Sequence, residues 1–296
     1  MASHEAGVLT TEALVTSAQE VMVSARDALA HNEPGYFGPL QTSLFGCYHA
    51  PRAYPRRHCG VVLCYPMGDE YMRFHRAFRQ LADRLTASGF PVLRFDFYGC
   101  GDSAGESTEG TLAQWQTDVT AAMQELQRRS GVGTLCLVGM RLGGNLAATV
   151  GAAYGNVDSM VLWDPVVCGR AYLQELHRLH RTMLQSAHVR PQPAIGSNVP
   201  QEVLGFPLTT TLSEEIEGID LLALRQAPAR QIYVLDSTGE TALAALVTRL
   251  QGLGSAVQYT SLPDPQLWEW VEDVNKVVVP PRLLQAVVSW IAEVYV

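Results

Sequence analysis

From residue 60 onward, short apolar runs alternate with longer amphipathic stretches. "GVVLCYP" reads as a buried strand, and "EYMRFHRAFRQLADRLTASG" as an amphipathic helix stopping at Gly89. "FPVLRFDF" predicts a strand, "GCGDSAGES" a polar turn, and "TLAQWQTDVTAAMQELQRRSG" a helix. "TLCLVG" is a strand, "LGGNLAATVGAAYG" a helix, and "VDSMVLWDPV" a strand again. Continuous apolar strands separated by helices predict a mostly parallel sheet covered on both faces. Right-handed crossovers then make it doubly wound.

The alternation lapses between about 168 and 225. "CGRAYLQELHRLHRTMLQSAHV" reads as helix and "RPQPAIGSNVPQEVLGFPL" as loop, so 168–225 is expected to be a helical cap insertion. The pattern resumes with the strand "RQIYVLDS", the helix "TALAALVTRLQGLG", the strand "AVQYTSL", and the Pro-opened helix "PPRLLQAVVSWIAEVY". Upstream, Leu14, Ala18, Val21, Met22, Ala25 and Leu29 fall on one helical face. "HNEPGYFGP" then breaks the pattern. The expected division is an N-terminal helical extension over 1–35, a core over 36–167 and 226–296, and the cap between them. The N-terminal helix is expected either to pack on its own domain or to join a partner protein or a second copy as a homodimer.

Composition narrows the function classes. Hydrophobic residues are 47% and charged residues 17% of the 296, which supports a large core. A net charge of −8 gives no electrostatic basis for nucleic-acid binding; positive charge gathers only locally, in "RAYPRRH" at 52–58. No run is long enough to span a membrane, and the N-terminus lacks the basic start and apolar block of a signal peptide. Six cysteines without a CxxC pair read as reduced thiols, so a cytoplasmic location is expected. No metal and no cofactor is expected. His177 and His180 at i, i+3 lack a third ligand fixed by spacing.

In order, "YPMGDEYMRFHRAFRQLADRL", "GFPVLRFDFYGCGDSAGE", "LVGMRLGGNLAA" and "MVLWDPVVCGRAYL" resemble the α/β-hydrolase fold. They look closest to the serine-aminopeptidase-like hydrolases, in particular a bacterial group often found beside biosynthetic clusters. The resemblance covers roughly 36–295. It implies a nucleophile elbow after the fifth strand, framed here by Gly139 and Gly143, with one oxyanion amide from Leu142. The second amide would come from Met67 or Gly68 in "PMGDE". Asp164 and Asp236 occupy the two positions where the family's acid is found; each is also a good turn or cap residue.

Two positions depart from the family. Arg141 stands where the nucleophilic serine belongs, and a guanidinium is no nucleophile. The histidines are at 4, 31, 49, 58, 75, 177, 180 and 188; "SLPDPQLWEW" follows the last strand where one is expected. Without Ser and His the acyl-enzyme route cannot run. Two readings follow. In one, Arg141 pairs internally with Asp164, Asp236, or Asp69 and Glu70, and the old site is closed. In the other, an open cleft lets Arg141 and the amides hold a carboxylate or acyl carbonyl. Asp69, Glu70 and Asp164 would then act as acids or bases in lyase, cyclase, acyl-transfer or proton-transfer chemistry. The substrate would be a small molecule or a carrier-bound acyl group in a biosynthetic pathway. His75 and Trp268 would line that cleft, and His177, His180, His188, Arg178 and Arg181 the path to it. A non-catalytic scaffold is the alternative, and a hydrolase with its nucleophile moved to Cys64, Cys168 or Ser103 is a third.

Overall fold

The computed structural model describes residues 32–186, 201–239, 242–264, 267 and 279–296. Eight strands form one sheet in the order β1-β2-β4-β3-β5-β6-β9-β10. They are β1 (Asn32–Phe37), β2 (Leu44–His49), β3 (Cys59–Cys64), β4 (Val92–Phe95), β5 (Thr134–Met140), β6 (Ser159–Trp163), β9 (Gln231–Asp236) and β10 (Ala256–Ser261). β1 and β2 run antiparallel to their neighbours, and the strands from β4 to β10 are mutually parallel. Every residue of β3 and β6 is buried, as their unbroken apolar runs require.

Helices α1 (Gly68–Ala87), α2 (Leu112–Ser130), α3 (Leu142–Tyr154), α6 (Ala242–Gly252) and α7 (Pro281–Val294) accompany the sheet. The Thr111 hydroxyl accepts from the Gln114 amide at 3.2 Å to start α2. The doubly wound architecture expected from the apolar pattern is therefore present.

Between β6 and β9 the chain forms α4 (Gly169–Ser186), a two-stranded hairpin of β7 (Gln201–Val203) and β8 (Phe206–Leu208), and α5 (Thr210–Glu217). It leaves and returns through one neck. The Gly169 amide donates to the Ile219 carbonyl at 2.9 Å, and the Leu221 amide to the Val167 carbonyl at 3.0 Å.

Two element expectations are corrected. "HNEPGYFGP" is not a simple break: Asn32–Phe37 pair with Leu44–His49. Pro34 is accommodated because β1 is an edge strand and need not donate outward. The core thus begins before residue 36. Part of "RPQPAIGSNVPQEVLGFPL" is the β7–β8 hairpin rather than loop. Its turn residues Leu204 and Gly205 have φ of 54° and 85°, the mirror-image turn that hairpin twist demands. A leucine there costs roughly 1–2 kcal/mol and hides the turn from sequence reading. The N-terminal helix, His188 and Trp268 lie outside the described residues.

Candidate functional site

The elbow is built by two close backbone approaches. A Cβ on Gly139 would strike the Gly143 carbonyl, and one on Gly143 would strike the carbonyls of Tyr65 and Cys64. Arg141 sits between them with φ 51° and ψ −122°, a strained conformation for a side-chain-bearing residue. Its amide donates to the Trp163 carbonyl at 3.0 Å. Asn145 ties the first turn of α3 to the loop after β6, donating to the Val166 carbonyl at 2.6 Å and accepting from its amide at 3.1 Å.

Arg141 is closed in. Its Nε donates to Glu70 Oε1 at 2.9 Å, and its Nη2 donates to Glu175 Oε2 on α4. Its guanidinium lies over the Tyr172 ring, 5.0 Å from the centroid. The Tyr172 hydroxyl donates to the other Glu70 oxygen at 2.9 Å. The residue is 4% exposed. Burial works against the charge, but Glu70 and Glu175 outweigh it and hold the guanidinium's proton more firmly than in water. Burial pushes Glu70 up, opposed by Arg141 and by the Tyr172 hydroxyl; with both oxygens accepting, we place it as the carboxylate partner of Arg141.

Of the expected internal partners, Glu70 forms the ion pair with Arg141, and the Arg141 charge also acts on Asp164. Asp69 lies 3.8 Å from Arg73 instead, and burial raises its carboxyl. Asp164 also has positive φ, 42°, and is buried. It accepts from the Ser237 amide at 2.7 Å and from the Ser237 hydroxyl. Burial pushes its pKa up to about 7, although those bonds pull the other way. Asp236 accepts from Gly239 at 2.7 Å, Thr238 at 2.9 Å and the Tyr259 hydroxyl at 2.7 Å. Burial opposes its ionisation, but these donors prevail and hold it below the usual carboxylate range. It is thus a turn cap with its oxygens occupied. After β10 come Leu262, Pro263 and Asp264, and the Asp264 amide donates to the Ser237 carbonyl at 2.9 Å.

Beside the elbow lies a cavity of about 210 Å³. It is lined by Tyr65, Met67, Gly68, Leu142, Gly143 and Leu146. Tyr71, Met72, Phe97, Cys100 and Trp115 also line it, as do Phe206, Pro207 and Leu212 of the inserted segment. No lining side chain is formally charged; Arg141 and Asp164 do not reach it. In the first turn of α3 the Gly144 and Asn145 amides donate to the Arg141 carbonyl at 3.0 and 3.4 Å, and Leu142, which opens the helix, lines the cavity.

Met67, Gly68 and Leu142 line this cavity. His75 does not. It is exposed on α1, its ring stacked 5.9 Å from that of Tyr65, and is not among the lining residues. Cys64, Cys168 and Ser103 do not line the cavity either. Cys64 is fully buried, with burial pushing its thiol up to about 12, and Cys168 is exposed at the neck. The Ser103 hydroxyl donates to the Asp96 carbonyl at 2.6 Å and accepts from the Phe45 amide at 2.9 Å, which makes it a turn residue. Among the described residues, no group of His, Cys, Asp and Glu is arranged to hold a metal ion. No helix among them is long and apolar enough to cross a membrane.

Residues 58–220, which include the elbow, the oxyanion-loop position and Asp164, match the family model described as serine aminopeptidase, S33. The chain belongs to this α/β-hydrolase family. Protein ABHD12B of Homo sapiens is 34% identical over 90 residues, which are 29% of this chain and 24% of that protein. Solved structures share the fold at low identity. Est1E from Butyrivibrio proteoclasticus, with ferulic acid bound, has a TM-score of 0.59 at 14% identity, covering 88% of this chain and 98% of its own. The Pyrococcus furiosus esterase gives 0.60 at 15%, covering 91% of each chain. A thermostable carboxyl esterase from Bacillus coagulans gives 0.59 at 16%, covering 90% and 99%.

Sequence reasoning missed Glu175 and Tyr172. Tyr172, Leu173 and Leu176 carry the buried face of α4, and Glu175 lies on the edge of that face. The i, i+4 apolar spacing was readable, but a glutamate inside "LQELHRLHR" looks like any solvated charge until its partner is placed.

Proposed function

We propose that this family member binds a small, neutral and largely apolar molecule in the cavity beside the elbow and does not run the acyl-enzyme cycle. The observation that carries this reading is the position of Arg141. It occupies the nucleophile's place, is buried, and is engaged by Glu70 and Glu175. The site then has no nucleophile at the elbow, and no histidine occurs in the sequence after residue 188 to activate one.

The cavity supports the ligand's chemistry. An uncharged lining disfavours a buried anion, because an ion moved there leaves water without a counter-charge. A carbonyl oxygen suits the Leu142 amide and that of Met67 or Gly68. The best candidate is an aryl or short acyl ester, amide or ketone, of the kind passed along a biosynthetic sequence. The alternative in which Arg141 itself grips a carboxylate requires the guanidinium to leave both glutamates.

The test pairs a covalent probe with a binding series. A fluorophosphonate should leave the protein unlabelled, and 4-nitrophenyl acetate and butyrate should turn over no faster than in buffer. Methyl ferulate should bind saturably and more tightly than ferulate. Stoichiometric fluorophosphonate labelling would end the proposal, as would preference for the anion.

A further inference from the structure

The contacts that bury Arg141 also run outward to the edge of the cavity. Glu70 belongs to α1 of the core and Arg141 to the elbow, whereas Glu175 and Tyr172 belong to α4 of the inserted segment. Farther along α4, His180 Nδ1 accepts from the Leu204 amide at 3.0 Å. Leu204 is the strained residue of the hairpin turn, and the same hairpin sets Phe206 and Pro207 against the cavity. The series is continuous: core carboxylate, elbow guanidinium, α4, hairpin, cavity edge.

From this series we infer that Arg141 is the latch of a cap: it joins a core carboxylate to a cap carboxylate, and parting that join opens the ligand cavity. The inference rests on the reading that the cavity is the binding site. It assigns Arg141, Glu175 and His180 as positioning residues, acting on the ligand only through Phe206 and Pro207.

The two halves of the latch are unequal. The Glu70 side chain is 7% exposed and that of Glu175 is 29% exposed. Water competes for Glu175 but hardly for Glu70, so the outer bond is the one that parts. Arg141 then keeps Glu70 as a counter-ion. The cap stays attached at its neck, where Gly169 and Leu221 hold their backbone bonds to Ile219 and Val167. A Cβ at Gly169 would strike the Ile219 side chain and the Ile216 carbonyl, so α4 leaves the neck packed directly on α5. Beyond the neck the segment is held to the core by the Arg141–Glu175 pair, by the Tyr172 hydroxyl donating to Glu70 at 2.9 Å, and by Glu215, which accepts from the Leu112 amide at 2.7 Å; the partly exposed ion pair is the latch among these.

The experiment compares the full chain with its Glu175→Gln variant, which keeps the shape and removes the charge. Two readouts are taken: stopped-flow binding of the neutral dye N-phenyl-1-naphthylamine, and amide hydrogen exchange. With the latch weakened, dye association and dissociation should both quicken about fivefold or more, with Kd within about twofold, because opening becomes easier for entry and exit alike. Amides of residues 170–176 and 203–208 should exchange about fivefold faster or more, while those of β5 stay as in the wild type. His180→Phe should quicken exchange in 203–208 and leave 170–176 protected.

Unchanged exchange in Glu175→Gln overturns the latch, as does an equal acceleration in β5, which would mean general destabilisation. Unchanged exchange of 203–208 in His180→Phe breaks the link from latch to cavity edge and overturns the inference in that form. If the dye fails to bind the wild type, the ligand reading fails, and the exchange data alone then decide the latch.

Discussion

Arg141 donates to Glu70 at 2.9 Å, and the two side chains are 5% and 7% exposed. The pair crosses from the elbow to the first turn of α1, at the position where the family resemblance would put the reacting oxygen. In this molecule that place is filled by protein.

Arg141→Ser should not restore hydrolysis. It returns the family's residue to the elbow, but no histidine follows residue 188 and Pro263–Asp264 stand after β10. The variant strands Glu70 and Glu175 against each other, which should cost about 3–5 kcal/mol. Urea unfolding measures that cost, and fluorophosphonate labelling shows whether the serine is activated. The double variant Arg141→Ser with Glu70→Gln should recover part of the lost stability, since the buried charge goes too.

Gly143→Ala should destabilise by roughly 2 kcal/mol or more, the range seen when an overpacked site cannot relax. The new methyl meets the backbone carbonyls of Tyr65 and Cys64 on β3 and just beyond, not the end of a flexible side chain. Thermal unfolding of the variant checks this. A mild effect would mean that the strand–helix junction is looser than the structure shows.

Stability should depend on pH through Asp164. Its folded value, about 7, lies above its ordinary 3.8, so folding takes up a proton. The contribution is full below about pH 4 and is lost as pH rises through about 7. Relative to Asp164→Asn, the wild type should lose roughly 2–3 kcal/mol between about pH 5 and about pH 8. Asparagine tolerates the positive φ of this position, which makes it the suitable control. Urea denaturation at the two pH values gives the comparison; parallel curves would refute the assignment.

Met72→Trp should weaken or abolish binding of methyl ferulate with little change in stability. Met72 is 52% exposed and lines the cavity. A bulkier side chain there narrows the opening without entering the core, and exposed substitutions usually stay within about 0.5 kcal/mol. Isothermal titration together with thermal unfolding separates loss of binding from loss of fold.

The layers of the fold were legible because burial on both faces writes itself as unbroken apolar runs, as in β3 and β6, and amphipathic helices write their own period, as in α1. Edge elements were less legible. β1 carries Pro34 and needs only one partner, and the β7–β8 turn uses a leucine where asparagine or glycine would announce it. Strand pairing supplied what propensity withheld.

The residues at the elbow were also legible. Gly139 and Gly143 mark a backbone crossing too tight for a side chain, and Arg141 between them is readable from order alone. What the chain's order could not say is which carboxylates answer that charge. Four acids were plausible partners; Glu70 forms the ion pair, together with Glu175, which lies 34 positions away on another helix. Composition and periodicity determine which residues seek burial. Only the packed structure decides which buried charges meet, because that depends on distances between elements the sequence does not order in space.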